Sequence, residues 1–237
     1  MIGTRVVELD GIKLNSRADT LPEFVRNMLF KGTYEQGERE LVREVVRPHS
    51  RVLEIGTGIG FISLLCTRLA GEGQVLSYEA NPVLKDIIHG NYALNGLEPR
   101  LEMKAVTVDG TPIRFFKNEN IISSSLIDRD LEASEIEVES DAINDVIMRH
   151  EPDIIVMDVE GAETDLLPAA DLAKVRAILV ELHPHIVGAP KIAELIEYLV
   201  SEGYEKAGER FKNVLMVRTG YQKHDTALPD AVNKVSG

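Results

Sequence analysis

Residues 52–60 read Val-Leu-Glu-Ile-Gly-Thr-Gly-Ile-Gly, and this stretch decides the fold. The apolar run that opens it is typical of a buried strand, and the apolar residues from 61 to 70 are typical of a helix. In doubly wound α/β sheets a ligand binds at such a turn, because strand ends and a helix N-terminus meet there. The glycines allow positive φ and close backbone approach. The stretch therefore predicts the ligand-binding turn of an α/β domain.

The alternation of strand and helix continues along the chain. The patterns predict strands at 51–55, 74–79, 100–106, 153–158 and 176–182, and helices at 60–70, 82–94, 140–149, 162–173 and 189–202. Such alternation implies parallel strands joined by right-handed crossovers. Two further strands near the C-terminus, between 204 and 218, are joined too tightly for a crossover and must form an antiparallel hairpin. We expect a Rossmann-like, doubly wound, mostly parallel α/β sheet with one antiparallel strand.

The domain organisation follows from the regions around this core. A chain of 237 residues suits one domain with additions. Residues 1–33 are expected to form an N-terminal hairpin, turning at Asp10-Gly11, and a helical extension. Residues 34–219 are expected to form the ligand-binding domain, with an insertion at about 107–139. Residues 220–237 are polar and read as a flexible tail.

Composition excludes several classes of function. Lys plus Arg is 26 and Asp plus Glu is 39, a net charge of −13, which argues against a nucleic acid partner because polyanion binders need basic patches. The single cysteine, Cys66, excludes an intrachain disulfide and a cysteine-based metal cluster. No secretory signal is visible, and no apolar run approaches the roughly 20 residues that span a bilayer. We therefore expect a cytoplasmic protein with no membrane association.

Acidic residues flank the glycine turn and indicate the kind of ligand. Glu54 precedes the turn, and Glu79 ends the second strand, 23 residues after Gly56. An acid about 20 residues beyond the first glycine accepts hydrogen bonds from ribose hydroxyls in dinucleotide-binding folds. The GxGxG spacing differs from the GxGxxG of those folds, and two acids favour a cationic nucleoside over a pyrophosphate. S-adenosylmethionine fits this description, and a purely structural glycine turn is the alternative.

A second acidic group follows the next pair of strands. Asp158 and Glu160 follow the fourth strand, and Glu181 and His183 close the next. If the fourth strand lies beside the first, Asp158, Glu160 and His183 would converge beside the ligand and act as catalytic residues that orient or deprotonate a hydroxyl. Binding of a divalent cation is an alternative, but no metal is expected. Capping roles for Glu160 and Glu163, and a backbone hydrogen bond for His183, remain open.

Over roughly residues 30–218, the chain resembles the FkbM family of class I S-adenosylmethionine-dependent methyltransferases. The motifs that carry the resemblance are VLEIGTGIG (52–60), YEANP (78–82), N-x-x-L-N (91–95), SSSL (123–126) and DVEGAE (158–163). The resemblance implies a seven-stranded sheet and O-methylation of a hydroxyl on a small molecule, sugar or natural product. It also implies the cofactor-binding residues: Glu54, Gly56, Thr57, Gly58, Gly60, Glu79, Ala80, Asn81, Ala105, Val106 and Asp158.

Within that set, the resemblance assigns the glycines to the methionine part of the cofactor, Glu79 to the ribose hydroxyls, and Asn81 and Ala105-Val106 to the adenine. Tyr34-Glu35 and Glu38 occupy positions that often face the cofactor or a lid, although Glu35 and Glu38 read slightly better as solvated helix acids. Enzymes that methylate exocyclic amines share an Asn/Asp-Pro-Pro-Tyr/Phe tetrad where this chain has Asp158-Val159-Glu160-Gly161. An amine is therefore disfavoured as the acceptor.

Two other functions use the same architecture. A nicotinamide-dependent oxidoreductase is opposed by the glycine spacing and by Glu54. A non-catalytic S-adenosylmethionine-binding module is opposed by the retained acids at the strand ends. The expected partner is a small-molecule or glycosidic acceptor, and a homodimer is possible.

Overall fold

The computed structural model describes residues 5–117 and 134–220. The strands are β1 Val6–Leu9, β2 Ile12–Asn15, β3 Val52–Ile55, β4 Val75–Tyr78, β5 Leu101–Glu102, β6 Ala105–Thr107, β7 Ile113–Lys117, β8 Ser134–Val138, β9 Ser140–Ala142, β10 Ile154–Met157, β11 Ala177–Glu181, β12 Tyr204–Arg210 and β13 Asn213–Arg218. The helices are α1 Glu23–Lys31, α2 Gln36–Val45, α3 Phe61–Ala70, α4 Lys85–Leu94, α5 Ile143–His150, α6 Glu163–Ala169, α7 Pro184–Val187 and α8 Ala189–Ser201, with a 3-10 turn at Pro82–Leu84.

A seven-stranded sheet forms the centre of the molecule, in the order β12-β13-β11-β10-β3-β4-β5. The pairs from β11 to β5 are parallel, and β13 is antiparallel to both β11 and β12. This arrangement confirms the predicted doubly wound, mostly parallel sheet with one antiparallel strand. Because β10 pairs with β3, with Met157 opposite Ile55, the chain leaves both strands at the same edge. Asp158 is thereby placed beside the glycine turn.

The core has two halves, one on each face of the sheet. On one face, Val52 and Leu64 belong to a cluster to which α1 to α4 and the N-terminal hairpin contribute. On the other face, Leu53 and Val146 belong to a cluster to which α5, α6 and α8 contribute. Every residue of β3 is buried, as expected of a parallel strand covered on both faces. The sheet therefore gives the site at its edge a rigid support.

One predicted strand is wrong in detail. Residues 100–106 do not form a single strand: β5 adds only two residues to the central sheet, while β6 leaves it and pairs in parallel with β9. Residues 140–142, predicted as the start of a helix, are that partner strand, and α5 begins at Ile143. The Lys104 Nζ–Asp141 Oδ1 ion pair at 3.0 Å joins the two strands. This departure places Ala105 and Val106 over the edge of the sheet that carries the glycine turn.

The predicted N-terminal hairpin is present. β1 and β2 pair antiparallel, and Asp10 and Gly11 both adopt positive φ, as a two-residue hairpin turn requires. Residues 118–133 of the predicted insertion, which include Ser123–Ser125 and the SSSL motif, and the predicted tail from residue 221 lie outside the described residues. Among the helices of the described ranges, none has the length and apolar character needed to cross a membrane.

Candidate active site

A cavity opens at the edge of the sheet where β3, β4 and β10 end. Its lining includes Gly56 and Gly58 of the glycine turn, Glu79 to Asn81 after β4, and Lys104 to Val106 around β6. Asp158 and Glu160 after β10 and Tyr34-Glu35 before α2 complete its acidic side. The topology thus brings together residues that are distant in the sequence. Nine of the predicted site residues line the cavity: Gly56, Gly58, Glu79, Ala80, Asn81, Ala105, Val106, Asp158 and Glu160.

The glycine turn is shaped by close backbone contact. Gly56 has a φ of 89°, and a Cβ atom there would lie 1.8 Å from the backbone oxygen of Asp158. Gly58 has a φ of 56°, and a Cβ atom at this position would be 3.7 Å from the Tyr34 hydroxyl oxygen. A side chain at position 56 would therefore collide with the backbone of Asp158, and one at position 58 would extend toward Tyr34 in the cavity wall.

Glu79 lies beside the turn with its carboxylate held in place. Its Oε2 accepts hydrogen bonds from the backbone N–H groups of Thr57 (3.1 Å) and Gly58 (2.8 Å), and its Oε1 accepts one from Asn81 (2.8 Å). The residue is only 7% exposed, and burial raises the pKa of its carboxyl to about 6 despite the three donors. A fixed, ionisable acceptor at the end of β4 is what a ribose hydroxyl requires.

Four predicted site residues are absent from the cavity lining: Glu54, Thr57, Gly60 and His183. Glu54 is buried, and its Oε2 accepts a hydrogen bond of 2.8 Å from the Thr57 hydroxyl. Burial raises the pKa of the Glu54 carboxyl to about 7. Gly60 precedes α3 with a φ of 83° and packs against Ile88. The structure therefore gives Glu54, Thr57 and Gly60 a role in shaping the turn, and their contact with a cofactor stays a prediction.

His183 is the centre of the second acidic group. Its Nε2 atom lies 3.5 Å from Asp158 Oδ1, 3.8 Å from Glu160 Oε2 and 3.6 Å from Glu181 Oε1. β10 ends at Met157, and Glu160 has a positive φ of 51°. A left-handed turn therefore directs the Glu160 side chain toward the histidine.

Glu163 contacts His183 on the Nδ1 side of its ring. Its Oε1 accepts from the backbone N–H of His183 (3.2 Å) and lies 3.1 Å from the ring Nδ1, while its Oε2 accepts from Gly161 N–H (2.7 Å). Glu163 is fully buried. Burial alone would lower the pKa of His183, but the bond to Glu163 and the neighbouring carboxylates outweigh it and raise that pKa. The sequence places Glu163 in the first turn of α6 without indicating this contact.

The acids before and within α2 also belong to the site. Glu35 lines the cavity, and Glu38 is only 5% exposed, so the interpretation of both as solvated helix acids is wrong. Burial, followed by the charge of Glu181, raises the pKa of Glu35 to about 7. Burial and the charges of Glu181 and Glu35 raise the pKa of Asp158 well above its usual value. The pocket thus concentrates negative charge that favours protons or cations.

The model of the FkbM methyltransferase domain matches residues 54–208, more than half of the chain. The chain belongs to the FkbM methyltransferase family. Residues 54–208 are accordingly a methyltransferase domain. The nicotinamide-dependent oxidoreductase is thereby set aside.

Three further similarities accompany the family match. A ribosomal protein L11 methyltransferase from Symbiobacterium thermophilum is 32% identical over 68 residues, 29% of this chain and 21% of its own length, so the match spans about a fifth of that relative. Trm5b from Pyrococcus abyssi shares 14% identity with a TM-score of 0.48, covering 89% of this chain and 53% of its own. The magnesium protoporphyrin IX methyltransferase from Synechocystis PCC 6803, solved with bound S-adenosylmethionine, shares 14% identity with a TM-score of 0.45, covering 86% and 88%.

The proteins in these comparisons carry names that refer to different acceptors. One is named for a ribosomal protein and another for magnesium protoporphyrin IX. A methyl acceptor is implied for this FkbM family member, but the similarities exclude no acceptor class. They therefore do not support the prediction that nucleic acid is excluded, which rests on charge alone.

Proposed function

We propose that this FkbM family methyltransferase transfers a methyl group to a hydroxyl of a small molecule, sugar or natural product. The observation that carries the proposal is the convergence of Asp158 and Glu160 on His183 beside the glycine turn: Asp158 Oδ1 lies 3.5 Å and Glu160 Oε2 lies 3.8 Å from the histidine Nε2. A hydroxyl acceptor must lose its proton during transfer, and buried acids and histidine are groups suited to take it. The missing amine-type tetrad supports the same choice.

The described residues fit S-adenosylmethionine. The bare backbone at Gly56 and Gly58 leaves room for the methionine part, and Glu79 offers a fixed acceptor for the ribose hydroxyls. Asn81, Ala105 and Val106 would contact the adenine, and the surrounding acids favour a sulfonium cation. When bound, this cofactor supplies an electrophilic methyl group.

The acidic group would prepare the acceptor. Asp158 and Glu160 would accept a hydrogen bond from the acceptor hydroxyl and orient it. Asp158 has a raised pKa, and a carboxylate of raised pKa takes a proton more readily at neutral pH. His183, fixed through Nδ1 by Glu163, presents Nε2 to the same point and provides a second proton acceptor.

Two substitutions separate cofactor binding from the chemical step. We expect Glu79→Ala to weaken S-adenosylhomocysteine binding by at least about tenfold, because one hydrogen bond to a charged carboxylate contributes about 1.5–3 kcal/mol. We expect Asp158→Ala mainly to lower turnover. Calorimetry with S-adenosylhomocysteine and rates on a panel of alcohols measure the two effects, with the exposed acid Glu102→Ala as a control.

The pH dependence of cofactor binding gives an independent check. Glu79 must be ionised to accept from two ribose hydroxyls, and its pKa lies at about 6. S-adenosylhomocysteine affinity should therefore fall as the pH drops below 6, and this fall should be absent in Glu79→Gln. Unchanged affinity of Glu79→Ala would count against the assignment of Glu79.

Turnover decides between an enzyme and a binding module. If the protein binds S-adenosylhomocysteine but methylates none of the alcohols, and methylates an amine or a nucleic acid instead, the hydroxyl proposal fails. The expectations of a cytoplasmic location and a possible homodimer remain predictions, which fractionation and light scattering would test.

A further inference from the structure

We propose that Asp158, Glu181 and His183 bind a divalent cation with zinc-like coordination. The proposal rests on the proposed function only for the role of the cation, which would be to hold the acceptor hydroxyl. The three side chains come from the ends of β10 and β11, and each offers one ligand atom to the same space beside the cavity.

The distances among the ligand atoms suit tetrahedral coordination. Bonds of about 2.1 Å from a tetrahedral Zn²⁺ place its ligand atoms about 3.4 Å apart. His183 Nε2 lies 3.5 Å from Asp158 Oδ1 and 3.6 Å from Glu181 Oε1. All three atoms lie within 4.8 Å of one another, so a small rotation of one carboxylate completes the geometry.

The state of the buried histidine points independently to a ligand. His183 is only 2% exposed, yet among the described residues its Nε2 makes no hydrogen bond, because the three nearest carboxylates lie beyond 3.4 Å. The other ring nitrogen is already bonded to Glu163. The buried Oδ1 of Asp158 is likewise without a hydrogen-bond partner. Both atoms face the point at which a cation would satisfy them.

The arrangement around the histidine resembles that of protein metal sites in general. A metal-bound histidine usually bonds its second nitrogen to a carboxylate, which fixes the ring and increases its basicity. Glu163, fully buried, occupies that position. Two carboxylates and one imidazole leave at least one coordination position open for a further oxygen ligand.

Charge favours the same conclusion. Glu35 and Glu160 add their negative charge to that of Asp158. The Lys212 Nζ lies 3.4 Å from Glu181 Oε1, but its side chain is 55% exposed. A divalent cation would relieve this excess of negative charge. Bound to the acceptor hydroxyl, the cation would lower the pKa of that hydroxyl. Asp158 and His183 would then hold the cation, and Glu160 would take the proton in their place.

Titration of the intact protein with Co²⁺ tests the site, since tetrahedral Co²⁺ absorbs visible light far more strongly than octahedral Co²⁺. We expect saturation at one equivalent, strong visible bands and competition by Zn²⁺. Asp158→Asn and Glu181→Gln should each weaken Co²⁺ binding by more than about tenfold. Glu151→Gln, a matched change at a half-exposed acid paired with Lys174, should leave it unchanged.

The outcomes separate this proposal from the proposed function. Weak octahedral spectra, or equal binding by Asp158→Asn and the intact protein, would overturn the cation site, provided that circular dichroism shows the variant folded. Full-rate methylation of a hydroxyl by chelator-treated protein would overturn the role of the cation and leave the proposed function standing. Saturable Co²⁺ binding by a protein that methylates only an amine would overturn the proposed function and leave the cation site standing.

Discussion

At the scale of single residues, Gly56 shows how strictly the glycine turn constrains its sequence. Its φ is positive, and a Cβ atom added to it would overlap the backbone oxygen of Asp158, so there is no place for a side chain. Gly73 also has a positive φ, of 77°, but an added Cβ there would meet nothing within 4 Å. A substitution at Gly73 therefore tests the free-energy cost of a left-handed backbone alone, whereas one at Gly56 adds the cost of a steric clash.

We expect Gly56→Ala to destabilise the protein far more than Gly73→Ala. The alanine at position 73 should cost about 1–2 kcal/mol, from the left-handed backbone alone. The alanine at position 56 must in addition move β10 away from β3, and we expect a loss of at least about 4 kcal/mol or failure to fold. Urea unfolding of both variants measures the difference, and equal losses would contradict the account.

Glu54 gives a pH-dependent contribution to stability. Its pKa is raised from 4.5 to about 7 in the folded state, so the folded protein holds a proton that the unfolded chain releases between those values. Stability should therefore decline as the pH rises from about 4.5 to 7, by up to about 3 kcal/mol from this group.

The variant Glu54→Gln should show a smaller decline, because it keeps an acceptor for Thr57 but cannot ionise, and the remaining decline comes from Glu35 and Glu79. The free energy of unfolding at pH 5 and pH 8, measured for the natural chain and for Glu54→Gln, gives the comparison. The exposed acid variant Glu102→Gln should follow the natural chain. A decline of the same size in all three would show that Glu54 is not the source.

Some residue roles could be predicted from the sequence and others could not. The positions of Gly56 and Glu79 follow from strand order, since the ends of neighbouring parallel strands meet at one edge. The bond of Glu163 to His183 and the burial of Glu38 depend on how helices pack after the strands end. No local pattern distinguishes such acids from solvated ones, which is why the interpretation of Glu38 was wrong.

At the scale of elements, the N-terminal hairpin is fastened to the helix that follows β4. Asn91 is fully buried; its Oδ1 accepts from Asn15 N–H (2.8 Å), and its Nδ2 donates to the Ile59 oxygen in the glycine turn (2.8 Å). Asn95, one turn along, makes a similar pair of bonds with the backbone of Lys13 at the surface. The Asn91 side chain therefore connects the hairpin to the glycine turn.

We expect Asn91→Asp to destabilise the protein by about 3–5 kcal/mol, because it buries a charge and removes the donor to Ile59. Asn95→Asp should cost only about 1 kcal/mol, since its site is partly exposed. Asn91→Asp should also weaken S-adenosylhomocysteine binding, whereas Asn95→Asp should not. Urea unfolding and calorimetry measure both effects, and equal effects of the two variants would refute the connection.

Elements with regular periodicity were predicted well, and the exception has a physical cause. The strand predicted at 100–106 is broken because β6 pairs with β9, across a segment of more than thirty residues. The hydrophobic pattern of a strand does not reveal which partner it will have. The consequence matters for the site, since Ala105 and Val106 line the cavity only because β6 leaves the sheet.

At the scale of the whole molecule, the net charge of −13 predicts weak binding to nucleic acids. Because Asp and Glu outnumber Lys and Arg, the counterion-release contribution should be small, so we expect dissociation constants above about 10⁻⁴ M for duplex RNA or DNA at moderate salt. Mobility-shift titration over a range of salt concentrations measures this. Tighter binding that weakens steeply with salt would reveal a local basic groove and a different acceptor.

The most direct test of the account is a crystal structure with S-adenosylhomocysteine. We predict the nucleoside in the cavity at the edge of the sheet, with its ribose hydroxyls within about 2.6–3.2 Å of the Glu79 carboxylate and its sulfur facing Asp158. A nucleoside bound elsewhere, or a ribose out of reach of Glu79, would contradict the assignment of the site.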